Sequence, residues 1–206
     1  MERSELVDAL TRMTTDYAAR IEEQSSRVGI DVNGHDDSAK RAMARCKEIN
    51  TRLQEGVSVL GDDKNENALK AFRFANDAMA RQRVQSIYAL ERRRGNKDVT
   101  VEKLNKDPKN FSWRSFQLAF LLLSIPALAD PTHKDRTNPA EAFADLLWFP
   151  TGGGKTEAYL GVAAFTMAIR RFQGNLGGLD ASRGLAVIMR YTLRLLTLQQ
   201  FQRATA

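Results

Sequence analysis

Apolar residues recur at helical spacing through the first hundred residues of the chain. The first set lies three or four positions apart and therefore shares one helical face: Leu6, Leu10, Met13, Tyr17 and Ile21. Polar, turn-prone residues over 31–37 predict a loop, and further helices are predicted from Ser38 and from about Asn65. The third helix should end near Gly95. These patterns predict a mostly helical region over residues 1–110.

The pattern changes after Lys109. Residues 113–123 predict an apolar helix that is ended by Pro126, because proline breaks the helical hydrogen-bond ladder. Two short, continuous apolar runs follow, over residues 146–149 and 185–189. Runs of this kind are typical of strands that are buried on both faces of a sheet.

Each predicted strand is followed by a predicted amphipathic helix, over residues 155–171 and 193–203. Gly161 and the neighbouring alanines would let the first of these helices pack closely on a sheet. The order strand, helix, strand, helix favours a right-handed crossover and a parallel sheet. The predicted fold class is therefore α/β, with part of a parallel-sheet domain over residues 111–206 after the helical region.

A glycine-rich segment, which we call the glycine loop, lies between the first predicted strand and its helix. It consists of Pro150, Thr151, Gly152, Gly153, Gly154, Lys155 and Thr156. Glycines leave a backbone free to approach a phosphate, and a helix N-terminus favours negative charge. Lys155 would bind the β- and γ-phosphates and Thr156 would bind Mg²⁺ as a metal ligand, which makes both catalytic candidates. The segment predicts a P-loop that binds ATP and Mg²⁺; the alternative is a structural glycine turn.

Composition adds a bias in charge. The 206 residues carry a net charge of +6, which favours polyanionic partners such as nucleic acid. Residues 118–129 form the longest apolar run, but Ser124 and Pro126 interrupt it and it is too short to cross a bilayer. No apolar signal core follows the first residues, so a cytoplasmic protein without a membrane segment is expected.

The glycine loop resembles motif I of superfamily 2 helicases, although Phe149 stands where the strict P-loop pattern has glycine. Upstream, Arg114 and Gln117 resemble the segment with which these helicases read adenine. The resemblance implies that both residues bind the nucleotide, and a side-chain amide suits an adenine edge because it both donates and accepts. The alternative for Gln117 is a solvated helix residue.

Downstream, three residues resemble motif Ia of the same family, which holds the phosphodiester backbone of one strand: Arg190, Thr192 and Arg194. A hydroxyl and two arginines suit phosphates. The alternative is a helix capped by Thr192 with exposed arginines. The match is partial, because Tyr191 stands where the family commonly has proline.

Together these segments resemble the large helicase subunits of the DISARM anti-phage defence systems, over about residues 68–206. The resemblance implies an incomplete RecA-like ATPase domain from an ATP-dependent DNA helicase or translocase. It also implies DNA as a ligand and other defence-system subunits, including a methyltransferase, as partners.

Two parts of such a motor are not found in the sequence. No Asp-Glu pair on an apolar strand follows Lys155, and there is no second RecA-like domain. We therefore expect the N-terminal part of a larger helicase, which ends after motif Ia and has little ATPase activity alone. The alternatives are another P-loop ATPase, or a non-enzymatic helical adaptor with a remnant P-loop.

Overall fold

The computed structural model describes residues 2–31, 34–140, 144–148, 150, 152–190, 201–203 and 205. The chain falls into two compact units. Unit 1 consists of Met1–Ala68 and Leu122–Ala142, and unit 2 of Leu69–Leu121 and Phe143–Ala206. The predicted division near residue 110, between a helical region and an ATPase portion, stays a prediction.

Helices make up most of the described chain. In chain order they are α1 (Arg3–Ser26), α2 (Asp36–Gly61), α3 (Glu66–Arg93), α4 (Val101–Asn105), α5 (Ser115–Ala129), α6 (Lys134–Thr137) and α7 (Lys155–Gln173). Short 3₁₀ turns lie at Asp63–Asn65 and Pro108–Phe111, and two short strands, β1 (Asn175–Leu176) and β2 (Leu179–Asp180), follow α7. The prediction of a helical first hundred residues is confirmed, as is the helix after the glycine loop.

Unit 1 is built on the packing of α1 against α2. The apolar face predicted for α1 supplies Leu6, Leu10 and Ile21 to the core, and α2 supplies residues such as Leu53 and Leu60. These side chains are removed from water, which is the main favourable contribution to packing. The spacing of apolar residues in the sequence therefore identified the buried side of α1.

The prediction that Pro126 ends its helix was wrong. Helix α5 continues through Pro126 to Ala129, and Asp130 N donates to the Pro126 carbonyl oxygen. Proline removes one backbone donor but does not stop a helix whose side chains are well packed. Leu122 and Ile125, on the same part of α5, are fully buried in the unit 1 portion of the chain.

Unit 2 has α7 as its most deeply buried helix. Phe165 and Ile169 of α7 are fully buried, and Phe72 of α3 also lies in the core. We expected Gly161 to allow close packing on a sheet, but its close neighbour is the indole of Trp113. A Cβ atom on Gly161 would lie 2.7 Å from Trp113 Cη2, so the glycine is needed for packing against an aromatic ring.

The predicted α/β fold class with a parallel sheet was wrong. Within the described ranges, the only β-strands are β1 and β2, which pair antiparallel with Asn175 opposite Asp180.

Neither of the two apolar runs predicted as buried strands is a strand over its described residues. Trp148 is 87% exposed and Ile188 is 81% exposed, whereas Phe149 lies outside the described residues. An apolar run becomes a buried strand only where neighbouring strands pair its backbone and cover its faces. In the described part of the chain no strand does so, and the apolar packing is instead between helices.

Among the described residues, Pro108–Ala129 is long and apolar enough to cross a membrane by length and composition alone. The structure divides this stretch into a 3₁₀ turn and α5. At 1.5 Å per residue, the 15 residues of α5 span about 22 Å, less than the ~30 Å hydrocarbon core of a bilayer. Leu121, Leu122 and Ile125 of α5 are fully buried.

Candidate phosphate-binding site

The glycine loop forms a tight turn that requires glycine. Gly152 and Gly154 have φ angles of 79° and 92°, in the left-handed region that other residues rarely adopt. The Gly153 N–H donates to the Pro150 carbonyl oxygen at 3.1 Å and closes the turn. The glycines from which the loop was predicted are therefore required by its backbone conformation.

The loop leads directly into the N-terminus of α7. Gly154 is the N-cap residue, and no side chain among the described residues caps the helix with a hydrogen bond. The first N–H groups of a helix have no partner within the helix, and together with the helix dipole they favour an anion. This end of α7 therefore favours a negatively charged group.

Lys155 and Thr156 occupy the first two positions of α7. Both are half-buried, and Lys155 Nζ donates to the Pro150 carbonyl oxygen at 3.1 Å. The ammonium group therefore lies over the loop, where a phosphate would compete for it. Thr156 has the hydroxyl that a magnesium site of this type uses, and its role as the metal ligand stays a prediction. Across the described residues, no three or more His, Cys, Asp and Glu side chains form a separate metal cluster.

Two residues that the sequence placed in the nucleotide site do contact the glycine loop. The guanidinium of Arg114 donates from Nη1 to the Gly153 carbonyl oxygen at 2.7 Å. Gln117 Nε2 donates to the Gly154 carbonyl oxygen at 2.7 Å. Gln117 also accepts a hydrogen bond from the Arg114 backbone N–H at 2.9 Å. The pair therefore supports the loop from a segment that lies far from it in the sequence.

The contacts of Gln117 bear on its predicted adenine role. The residue is only 5% exposed, so it is not the solvated glutamine of the alternative interpretation. A side-chain amide has two N–H donors and an oxygen with two lone pairs. Among the described residues, one donor is used on Gly154 and one lone pair on Arg114. Reading of adenine stays a prediction.

Glu157 was not identified from the sequence as a site residue. It lies in the first turn of α7, and its side chain is 17% exposed. Glu157 Oε1 forms an ion pair with Arg203, whereas Oε2 is buried and has no hydrogen-bond partner among the described residues. The sequence offered one signal for a role of Glu157: it is an acidic residue in the first turn of a predicted helix, where the helix dipole favours negative charge.

The residues that resemble motif Ia are described only in part. Arg190 is exposed and lies at the end of residues 185–190, a stretch that is neither helix nor strand and that we call the Arg190 segment. Thr192 and Arg194 lie outside the described residues, as does Thr151 of the glycine loop. The predicted nucleic-acid role of these positions stays a prediction.

Comparison with known proteins links the chain to one named system. No protein-family model matches the chain. The chain is similar to the DISARM protein DrmA of Bacillus paralicheniformis, with 38% identity over 204 residues and 98% of the chain covered. The similarity thus includes the helical residues before 68, which the resemblance in motifs did not cover. The chain spans 17% of the length of that protein. The identity over nearly the whole chain supports a relationship to DISARM proteins.

Proposed function

We propose that the chain belongs to an anti-phage defence protein of the DISARM type and that its glycine loop binds the phosphates of ATP with Mg²⁺. The observation that carries the proposal is the convergence of Arg114 and Gln117 on the loop that begins α7. Two segments distant in sequence thereby come together at the turn that leads into the N-terminus of α7. The similarity to DrmA supports the defence role.

The chemistry proposed for the loop is electrostatic. A bound triphosphate would accept hydrogen bonds from N–H groups in the first turn of α7 and take the ammonium of Lys155 from the Pro150 carbonyl oxygen. The Thr156 hydroxyl would be one of the ligands of Mg²⁺. Such a site needs no covalent chemistry from the protein, because phosphoryl transfer depends on positioning and charge.

For the longer protein, we propose an ATP-dependent helicase or translocase that acts on DNA beside other defence-system subunits. The motif order from Gln117 to Arg190, the net charge of +6 and the similarity to DrmA support this proposal. DNA-stimulated ATPase activity would separate it from another P-loop ATPase.

Titration with Mg²⁺-ATP tests the binding proposal. Lys155→Ala should weaken binding at least tenfold, about 1.4 kcal/mol, because the charge that balances the phosphates is lost. Lys40→Ala removes the charge of an exposed lysine on α2 and should bind like the wild type. Absence of binding in the wild type, or equal binding by Lys155→Ala, would overturn the proposal.

A second candidate is a non-enzymatic helical adaptor in which the glycine loop is a structural turn. The helical architecture of the described residues favours it over a complete ATPase domain. The contacts of Arg114, Gln117 and Lys155 with loop carbonyls also suit a turn that fixes the start of α7. In this case Mg²⁺-ATP should leave the melting temperature unchanged, whereas binding would raise it.

A further inference from the structure

Positive charge is concentrated in residues 92–109, which we call the basic segment. It contains seven basic and three acidic side chains, a net charge of +4 against +6 for all 206 residues. The segment lies within unit 2 and runs from the end of α3 through α4 into the second 3₁₀ turn. All of its basic residues are exposed: Arg92, Arg93, Arg94, Lys97, Lys103, Lys106 and Lys109.

The backbone of the turn after α3 is fixed by hydrogen bonds. Gly95 has a φ angle of 87°, and the Asn96 N–H donates to the Glu91 carbonyl oxygen at 3.0 Å, an arrangement that ends many helices. The Asp98 N–H then donates to Asn96 Oδ1 at 3.1 Å. The basic side chains therefore extend from an ordered backbone, and a ligand would lose little affinity to ordering it.

Two basic side chains from different helices meet at this turn. Arg92 of α3 donates from Nη1 to the Lys97 carbonyl oxygen at 3.2 Å. Lys103 of α4 donates from Nζ to the Asp98 carbonyl oxygen at 2.9 Å. The two cations thus lie at the carbonyl groups of consecutive residues, the first of which is itself a lysine. Like charges at such short range repel, and a bound anion would relieve that repulsion.

The acidic side chains balance little of this charge through ion pairs. Asp107 accepts a hydrogen bond from a backbone N–H of the 3₁₀ turn that follows it. Hydrogen bonds with its own backbone N–H and with Thr100 hold the pKa of Glu102 below its usual value. Over the described ranges, Arg94 is the one basic residue of the segment that forms an ion pair, with Glu91 at 3.2 Å.

We propose that the basic segment binds the phosphodiester backbone of DNA, through residues outside the glycine loop and the Arg190 segment. The inference rests on the proposed action on DNA and adds a second contact to it. Phosphate contacts use both arginine and lysine and carry no sequence information. Four of the seven basic residues are lysines, which are depleted at protein–protein interfaces, so DNA suits this surface better than an acidic protein does.

The test measures binding of the full-length protein to a short labelled DNA duplex by fluorescence anisotropy, without nucleotide and at about 50–200 mM KCl. The variant combines Lys97→Gln, Lys106→Gln and Lys109→Gln. These three side chains make no hydrogen bond or ion pair with the described residues, so their replacement should leave the fold intact. Affinity should fall at least about tenfold, and equally for duplexes of unrelated sequence. The plot of log K against log salt concentration should become less steep by about 1–3, because each lost phosphate contact removes about 0.9.

The matched control combines Lys40→Gln, Lys64→Gln and Lys134→Gln, which removes the same charge from exposed lysines of unit 1. It should bind DNA as the wild type does, and far-ultraviolet circular dichroism checks that both variants are folded. Equal losses in the two variants would reveal a general effect of net charge and overturn the proposal.

Two further outcomes would also overturn it. One is unchanged affinity and salt dependence in the basic-segment variant. The other is a loss confined to binding of polyglutamate, which would assign the surface to an acidic protein. A wild type that does not bind DNA would overturn the proposed action on DNA as well, whereas the Mg²⁺-ATP titration tests the glycine loop separately.

Discussion

The backbone of Gly56 in α2 lies directly against the carbonyl group of Leu122 in α5. A Cβ atom on Gly56 would lie 2.3 Å from the Leu122 oxygen, well inside van der Waals contact. Pro126, four residues after Leu122, has no N–H with which to satisfy that oxygen within the helix. The missing side chain of Gly56 and the missing N–H of Pro126 therefore both concern the Leu122 carbonyl oxygen in unit 1.

Gly56→Ala should destabilise unit 1 by about 1–3 kcal/mol, the usual cost of an added methyl group in a well-packed interior. The clash is with backbone, which cannot rotate away as a side chain can. Gly61→Ala is the control on the same helix, because the nearest atom to its Cβ would be Val7 Cγ2 at 3.4 Å. The control should be neutral or stabilise by up to about 1 kcal/mol. Urea unfolding measures both, and equal stabilities would contradict the packing described here.

Gly161→Ala should destabilise unit 2 by about 1–3 kcal/mol through contact with Trp113. The indole cannot move aside freely, because Trp113 Nε1 donates to Asn76 Oδ1 at 2.7 Å. Combining Gly161→Ala with Asn76→Ala should therefore cost less than the sum of the two single changes. Strict additivity in a double-mutant cycle would show that the indole does not transmit the strain.

Gln117→Ala should weaken the binding of ATP and of inorganic pyrophosphate by similar factors. The reason is that Gln117 donates to the Gly154 carbonyl oxygen, so its loss loosens the loop whatever ligand is bound. Pyrophosphate has no base, and competition against a fluorescent ATP analogue measures both affinities. A loss confined to ATP would instead assign Gln117 to adenine.

Tyr17 should ionise later than an ordinary tyrosine. Burial, followed by the hydrogen bond with Cys46 and its charge, raises the pKa of Tyr17 from 10.0 to about 12. The folded state thus favours the neutral phenol, and this contribution to stability is complete below pH 10 and is lost as the pH rises through about 12. An ultraviolet titration should show a tyrosine that ionises at unusually high pH, and Tyr17→Phe should remove this late phenol from the titration. If the late phenol persists in Tyr17→Phe, the assignment is wrong.

The helices could be predicted because their apolar residues are spaced for packing on one side. Leu6, Leu10 and Ile21 gave the buried face of α1 directly. Helix hydrogen bonds are made within the segment, so its sequence contains most of the information that determines it. The same argument applies to α7, and the glycines of the glycine loop predicted where this helix begins.

The sheet could not be predicted reliably, because a strand depends on residues elsewhere. The runs around Trp148 and Ile188 have the composition of buried strands but are exposed. The composition of a run shows that its residues are apolar, but it does not show which neighbouring elements will bury them. The continuation of α5 through Pro126 has a similar cause, since α5 is stabilised by its packing.

The candidate site was predicted in its parts. The loop, Arg114 and Gln117 came from their residue types and from the resemblance, and the structure brings them together. The pairing of Glu157 with Arg203 had no local signal, because each residue alone is an ordinary charged residue on a helix. Only the three-dimensional structure brings the two charges together.

The contacts of Arg114 and Gln117 with the glycine loop have a consequence for the energetics of binding. Arg114 and Gln117 hold the carbonyl groups of Gly153 and Gly154 in the folded protein, so the entropy lost in fixing these two residues is incurred during folding. A ligand that meets the loop then loses little affinity to ordering it. Association should therefore be a single kinetic step whose rate follows ligand concentration and ionic strength, without a slow phase for loop closure.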